Sequence, residues 1–130
     1  MIVDASALLA MVHKEPGWNE LARVAALADC RMSTANWLEA SIVTDARSAA
    51  HGARFDRIVE LLEIEVVPVG VQHAAVAREA YRRFGRGSGS RARLNFGDCF
   101  SYALAVVTGE KLLFVGEDFT HTDVAPAMPT

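Results

Sequence analysis

Three short apolar runs constrain this chain more than anything else in it: Met1 to Val3, Ile64 to Val69 and Lys111 to Val115. Each reads as a strand, and the long stretches between them place apolar residues at helical spacing. Strands separated by helices imply parallel pairing with right-handed crossovers and a sheet covered on both faces. The expected fold is α/β, with helices on both sides of a central, mostly parallel sheet. Cys30 to Ser33 reads either as a further, very short strand or as a loop. A chain of 130 residues with 52% hydrophobic content has room for one core, so a single domain over 1–130 is expected.

Helices are expected over Ala5 to Val12, from Trp18 to Ala28, from Ser33 or Thr34 to about Ala50, around Phe55 to Leu62, and from about Gln72 to Phe84. His51-Gly52 is the expected stop of the third. Its apolar stripe reads as Ala35, Leu38, Ile42, Val43 and Ala46, with Glu39 inside that stripe. A last helix starts after Asn95, a good N-cap, and carries a stripe of Phe96, Phe100, Ala103, Leu104 and Val107. At about 100° per residue, Asp98 lies nearly opposite Phe100 and points away from that stripe.

Charge is informative through its distribution. Net charge is −3 and charged residues are 22% of the chain, which suits neither a disordered segment nor a wholly basic nucleic-acid module. Yet Arg82, Arg83, Arg86, Arg91 and Arg93 fall together, with no acid between Glu79 and Asp98. Gly85 to Arg93 reads as a mobile basic loop. Cys30 and Cys99 make neither a disulfide framework nor a metal-binding spacing. No signal peptide is read at Met1, and no apolar stretch approaches the ~20 residues a membrane span needs. A cytoplasmic, reducing compartment is the expectation. His13, His51, His73 and His121 are scattered and read as surface or capping residues.

Four acids carry the chemistry. Asp4 follows the first strand and Asp118 follows the last, and ligands of parallel sheets sit beyond those carboxyl ends. Taken singly, Asp4 reads equally as a helix cap, Asp118 as a turn residue, and Asp98 as an acid suiting the helix dipole. Glu39 on an apolar face needs a partner, which Arg47 or Arg23 would supply in a purely structural reading. Taken together they are costly, since a like-charge pair at ~4 Å costs roughly 4 kcal/mol at an effective dielectric of 20. Either their pKa values rise or a divalent cation holds them ionised. Carboxylates without His or Cys suit Mg²⁺ or Mn²⁺ better than zinc. The arginine-rich loop would then hold a polyanion that the acids alone repel.

Ile2-Val3-Asp4-Ala5-Ser6-Ala7-Leu8, Glu39 on an early helix, Leu94-Asn95-Phe96-Gly97-Asp98-Cys99 and Gly116-Glu117-Asp118-Phe119 together resemble the PIN-domain nucleases. The likeness is greatest to the VapC toxins of bacterial toxin–antitoxin pairs, and it runs in order along the whole chain. It implies a three-layer α/β/α PIN-like domain and a Mg²⁺- or Mn²⁺-dependent endoribonuclease whose acids correspond to Asp4, Glu39, Asp98 and Asp118. It also implies a homodimer and a small antitoxin that blocks the site. Many members carry Thr-x-Asp-x-Asp-Phe before the last acid, whereas this chain has Phe114 and Gly116 at the first two motif positions.

On that resemblance Asp4 and Asp98 are the expected metal ligands, with Glu39 and Asp118 tuning the ion or orienting the attacking water. Ser6 is expected to donate to a ligating acid or to substrate phosphate, and Arg91 and Arg93 to hold the RNA backbone. Water attack in line would leave a 5′-phosphate and a 3′-hydroxyl. Two other readings compete: a catalytically inactive PIN-like scaffold that binds protein or RNA, and a phospho-accepting signalling or phosphatase domain. The second fits poorly, because Lys111 begins a strand and Glu39 and Asp98 fall on helices.

Overall fold

The computed structural model describes residues 1–128. Four strands form one sheet: β1 (Ile2–Val3), β2 (Arg31–Ser33), β3 (Glu65–Val67) and β4 (Leu112–Leu113). They are ordered β3-β2-β1-β4 and every pairing is parallel, with Ile2 opposite both Arg31 and Leu112. The alternative left open at Cys30 to Ser33 resolves as a strand. Beyond β4, Leu112 N–H donates to Ala125 O (2.9 Å) and Ala127 N–H to Leu112 O (2.8 Å), so the tail runs beside the sheet edge. The two prolines from Thr120 to Thr130 predict an extended tail, of which 129–130 lie outside the described residues.

Six helices link and cover the strands: α1 (Ala5–Val12), α2 (Trp18–Ala26), α3 (Thr34–Arg47), α4 (Ala49–Leu61), α5 (Val71–Phe84) and α6 (Phe96–Thr108). Successive strand residues point to opposite faces and build two cores. Val3, Met32 and Leu113 pack with Leu8, Met11, Leu21 and Phe55 of α1, α2 and α4. Ile2 and Leu112 pack instead with Ala77, Ala80, Tyr102 and Leu104 of α5 and α6. The three-layer arrangement expected from the apolar runs is therefore present. No helix among the described residues is long and apolar enough to cross a membrane.

Several local expectations are corrected. The third helix ends at Arg47, not at His51-Gly52; Ser48 breaks it and caps α4, accepting from His51 N–H at 3.0 Å. Gly52 lies inside α4, where a Cβ would strike the Asp45 side chain, so it serves the close approach of α3 and α4. The stripe expected on α3 is turned outward: Leu38 and Ile42 are 52% and 58% exposed, while Asn36, Ala40 and Thr44 are buried. On α6 the packed face is Cys99 and Ser101 to Ala105, which includes Ala103 and Leu104 of the expected stripe but not Phe96, 79% exposed. The Gly85 to Arg93 segment is tied down. Leu94 N–H donates to Phe84 O (2.8 Å), Arg86 N–H to Leu94 O (3.1 Å), and Ala92 and Leu94 are buried.

Candidate active site

The sheet order reverses between β1 and β4, which opens a crevice beyond their carboxyl ends. Asp4, directly after β1, caps α1 and is 4% exposed. Both carboxylate oxygens have donors: Ser101 Oγ at 2.5 Å to Oδ1 and Ser6 N–H at 3.0 Å to Oδ2. Ser6 Oγ accepts from Val115 N–H (3.0 Å), so the same serine fastens the end of β4 to the start of α1.

Asp98 sits in the first turn of α6, held by a reciprocal cap. Asn95 Oδ1 accepts from Asp98 N–H (2.9 Å), and Asp98 Oδ2 accepts from Asn95 N–H (3.0 Å). Burial pushes the Asp98 carboxyl up to about 7; the Asn95 N–H opposes this, and the Asp4 and Asp118 carboxylates add to it. Asp118 is exposed, and its carboxylate is near enough to Asp98 to help raise that group.

Glu39 comes from the inner face of α3. Its pKa is raised, first by burial and then by Asp4, against the bond it accepts from Asn36 Nδ2 (3.4 Å). Neither Arg47 nor Arg23 is its partner; Arg23 pairs with Glu20. Asn36 Nδ2 also donates to Gly97 O (2.9 Å), locking α3 to the first turn of α6. A Cβ on Gly97 would overlap the Glu39 carboxylate, so glycine there lets the acid reach the site.

The four expected acids thus converge from α1, α3, α6 and the turn after β4, and among the described residues none of them makes an ion pair. The donors are all oxygen, which fits a hard dication. Among the described residues no three such groups already surround one point at ligating distance.

Beside the acids, Arg86, Arg91, Ala92 and Arg93 form one wall of a cleft of about 320 Å³, and Glu117, Asp118 and His121 form the other. Arg91 and Arg93 project outward while Ala92 and Leu94 anchor the loop. Arg93 holds φ at 53°, a left-handed conformation that costs an L-residue roughly 1–2 kcal/mol. Gly116, where the Thr-x-Asp-x-Asp-Phe pattern has its first acid, turns at φ 98°, a conformation that L side chains rarely adopt. Sequence reasoning missed Asn36, Ser101 and His121, and placed Arg86 only within the basic run. Two had a signal: Asn36 precedes Glu39 by three residues and Ser101 follows Asp98 by three, on shared helix faces.

Unpaired carboxylates gathered at the switch point of a parallel sheet define a class of acid-site α/β domain. The PIN domain family model matches residues 1–125, and this chain belongs to that family, within its VapC branch. Ribonuclease VapC42 of Mycobacterium tuberculosis is 47% identical over 129 residues, covering 98% of each chain. Ribonuclease VapC28 of the same organism is 46% identical over 130 residues, again covering 98% of each. The crystal structure of Mycobacterium tuberculosis VapC20, described as a Sarcin-Ricin loop cleaving toxin, matches with a TM-score of 0.69 at 18% identity. It covers 96% of this chain and 98% of its own, a likeness of fold.

Proposed function

We propose that this chain is the toxin of a toxin–antitoxin pair, a Mg²⁺- or Mn²⁺-dependent endoribonuclease acting through Asp4, Glu39, Asp98 and Asp118. The observation that carries this is the convergence of four carboxylates without a counter-cation, with Asp98 pushed up to about 7. Full-length relatives named as ribonucleases support it. Such a site costs stability, and a dication that binds substrate phosphate is what makes the arrangement useful.

Asp4 and Asp98 are the residues that would hold the ion. When bound, it supplies Lewis acidity, making water a better nucleophile and offsetting charge that grows on the phosphate oxygens. Ser101 and the Ser6 N–H fix the Asp4 carboxylate, and the Asn95 cap fixes Asp98. Glu39 and Asp118 orient the water that attacks the phosphorus in line, leaving a 5′-phosphate and a 3′-hydroxyl. Arg91 and Arg93 hold the flanking RNA backbone, and the Ser6 hydroxyl keeps its proton for a phosphate oxygen.

The same reading makes the chain a cytoplasmic homodimer neutralised by a cognate antitoxin. Leu38, Ile42 and Val43, outward on α3, supply apolar surface of the kind such partners cover. The test is incubation with end-labelled single-stranded RNA in Mg²⁺ or Mn²⁺, with a chelator arm and analysis of the ends. Metal-dependent cutting to 5′-phosphates is expected; chelator-resistant cutting or cyclic-phosphate ends would overturn the mechanism.

A further inference from the structure

The two walls of the cleft come from different parts of the chain. The arginine wall hangs from the end of α5, where Leu94 N–H is bonded to Phe84 O. The acid wall is the turn after β4, closed on itself by Thr120 N–H to Glu117 O and Thr122 N–H to Phe119 O, each 3.1 Å. It is anchored through buried Phe119 on Phe114, with ring centroids 5.2 Å apart.

One side chain joins them. Asp123 Oδ1 accepts from Tyr102 O–H at 2.5 Å, and its Oδ2 lies 3.5 Å from an Arg83 guanidinium nitrogen. Arg83 stacks over Phe84 at 4.6 Å, and the Phe84 ring meets the Tyr102 ring at 5.8 Å. Among the described residues, Arg83–Asp123 is the single ion pair or hydrogen bond linking 83–94 to 117–124. Tyr102 is one turn beyond Asp98 on the same helix, so the Asp123 carboxylate ties both walls to the helix that carries the half-buried Asp98.

We propose that Asp123 is a positioning residue: by holding Tyr102 and Arg83 at once, it sets the spacing between the arginine wall and the Asp118 wall, and with it the grip on an RNA backbone. The inference rests on the nuclease reading above for the nature of the ligand. The exposed Arg83–Asp123 pair contributes little to stability by itself, so its value is geometric. The Tyr102 bond is the closer half, 2.5 Å against 3.5 Å, and it pairs a hydroxyl with a charged acceptor.

Charge makes the test sharp. Asp123→Asn and Asp123→Ala each remove a negative charge beside the path of a polyanion. Electrostatics alone would then tighten RNA binding and steepen its salt dependence. Positioning predicts the reverse. Asp123→Ala is expected to weaken binding of a labelled single-stranded RNA about tenfold and to flatten the salt slope by roughly one. Asp123→Asn, which keeps an acceptor for Tyr102, is expected to fall between, and Tyr102→Phe to shift binding in the same direction while keeping the charge.

The experiment pairs salt-dependent RNA binding in the chelated protein with amide hydrogen exchange at Thr120 and Thr122. Faster exchange together with weaker, flatter binding supports the proposal. Unchanged exchange, or faster exchange with equal or tighter binding, overturns it and leaves the nuclease reading standing. A parent chain that neither binds RNA in chelator nor cleaves it when Mg²⁺ or Mn²⁺ is supplied overturns the nuclease reading and the grip on RNA with it, whatever the exchange rates are.

Discussion

At the N-terminal edge of the sheet the Met1 ammonium lies 2.5 Å from Glu110 Oε1 and donates to Asp29 O at 2.9 Å. Arg31 reaches Glu110 Oε2 and Glu65, each at 3.5 Å. At the opposite edge Asp4 acts on both Glu39 and Asp98, Asp118 acts on Asp98, and among the described residues none of the four makes an ion pair. Burial acts the same way in both places, raising carboxyl pKa values, but the outcomes diverge. For Glu110 the ammonium's hydrogen bond and charge, with Arg31, overcome burial and hold the carboxyl below its ordinary range. For Asp98 the neighbours are acids, and burial wins. One edge spends its charges on holding strands together. The other keeps them unpaired, a cost that only a bound ligand relieves.

The comparison is broken most directly by changing one acid at each edge. Asp98→Asn is expected to cut metal-dependent RNA cleavage at least about a hundredfold while the chain stays folded, because it removes a charge aimed at the reacting phosphate. Parent-like cleavage by this variant would dismiss the site. A smaller loss, about tenfold, is expected for Gly97→Ala, which leaves all four acids but displaces one of them. The added methyl meets only the far end of the Glu39 side chain, so the backbone has no need to move. A Gly97→Ala protein that cleaves normally would show that Glu39 need not approach α6.

Glu110→Gln tests the other edge. Loss of the charged partner of the ammonium is expected to cost about 1–3 kcal/mol of unfolding free energy, read as a fall in the denaturant midpoint. RNA cleavage well below the unfolding temperature should stay within about twofold of the parent, since Glu110 lies at the far end of the strands. A comparable loss of activity would mean that the two edges are coupled through the sheet.

The same contrast accounts for what was legible in the sequence. Asp4 and Asp118 were readable because a parallel strand fixes which way its end points, and the apolar runs mark the strands. The rotations of α3 and α6 were not readable. Counting apolar residues puts Leu38, Ile42 and Phe96 inward, yet these helices turn small and polar residues to one another so that Asn36 can reach Gly97 O and Glu39 can enter. Hydrophobic periodicity assumes that the packed face is apolar, and at this site it is not. The arginine loop misled in another way. Its Gly/Ser composition suggested mobility, but the hydroxyls of Ser88 and Ser90 bond to loop backbone, and Ala92 and Leu94 are buried anchors.

The finest test concerns pH. The Asp98 carboxyl has an ordinary value of 3.8 and is pushed up to about 7 in the folded chain. The native state therefore holds this proton more tightly than the unfolded state does. Its contribution to stability is fully present below pH ~4 and is lost as pH rises toward ~7. The group is only half-buried, so solvent screening limits the effect to on the order of 1 kcal/mol. In chelator, the parent should lose stability across this window relative to Asp98→Asn, and above pH ~7 the difference should be constant. Adding Mg²⁺ at pH 8 should restore the parent and leave the variant much less affected, because the ion stabilises the ionised carboxylate that the amide lacks. Parallel stability curves for the two proteins from pH 4 to 8 would mean that Asp98 is relieved by some other group, and the distinction between a paired and an unpaired edge would fail.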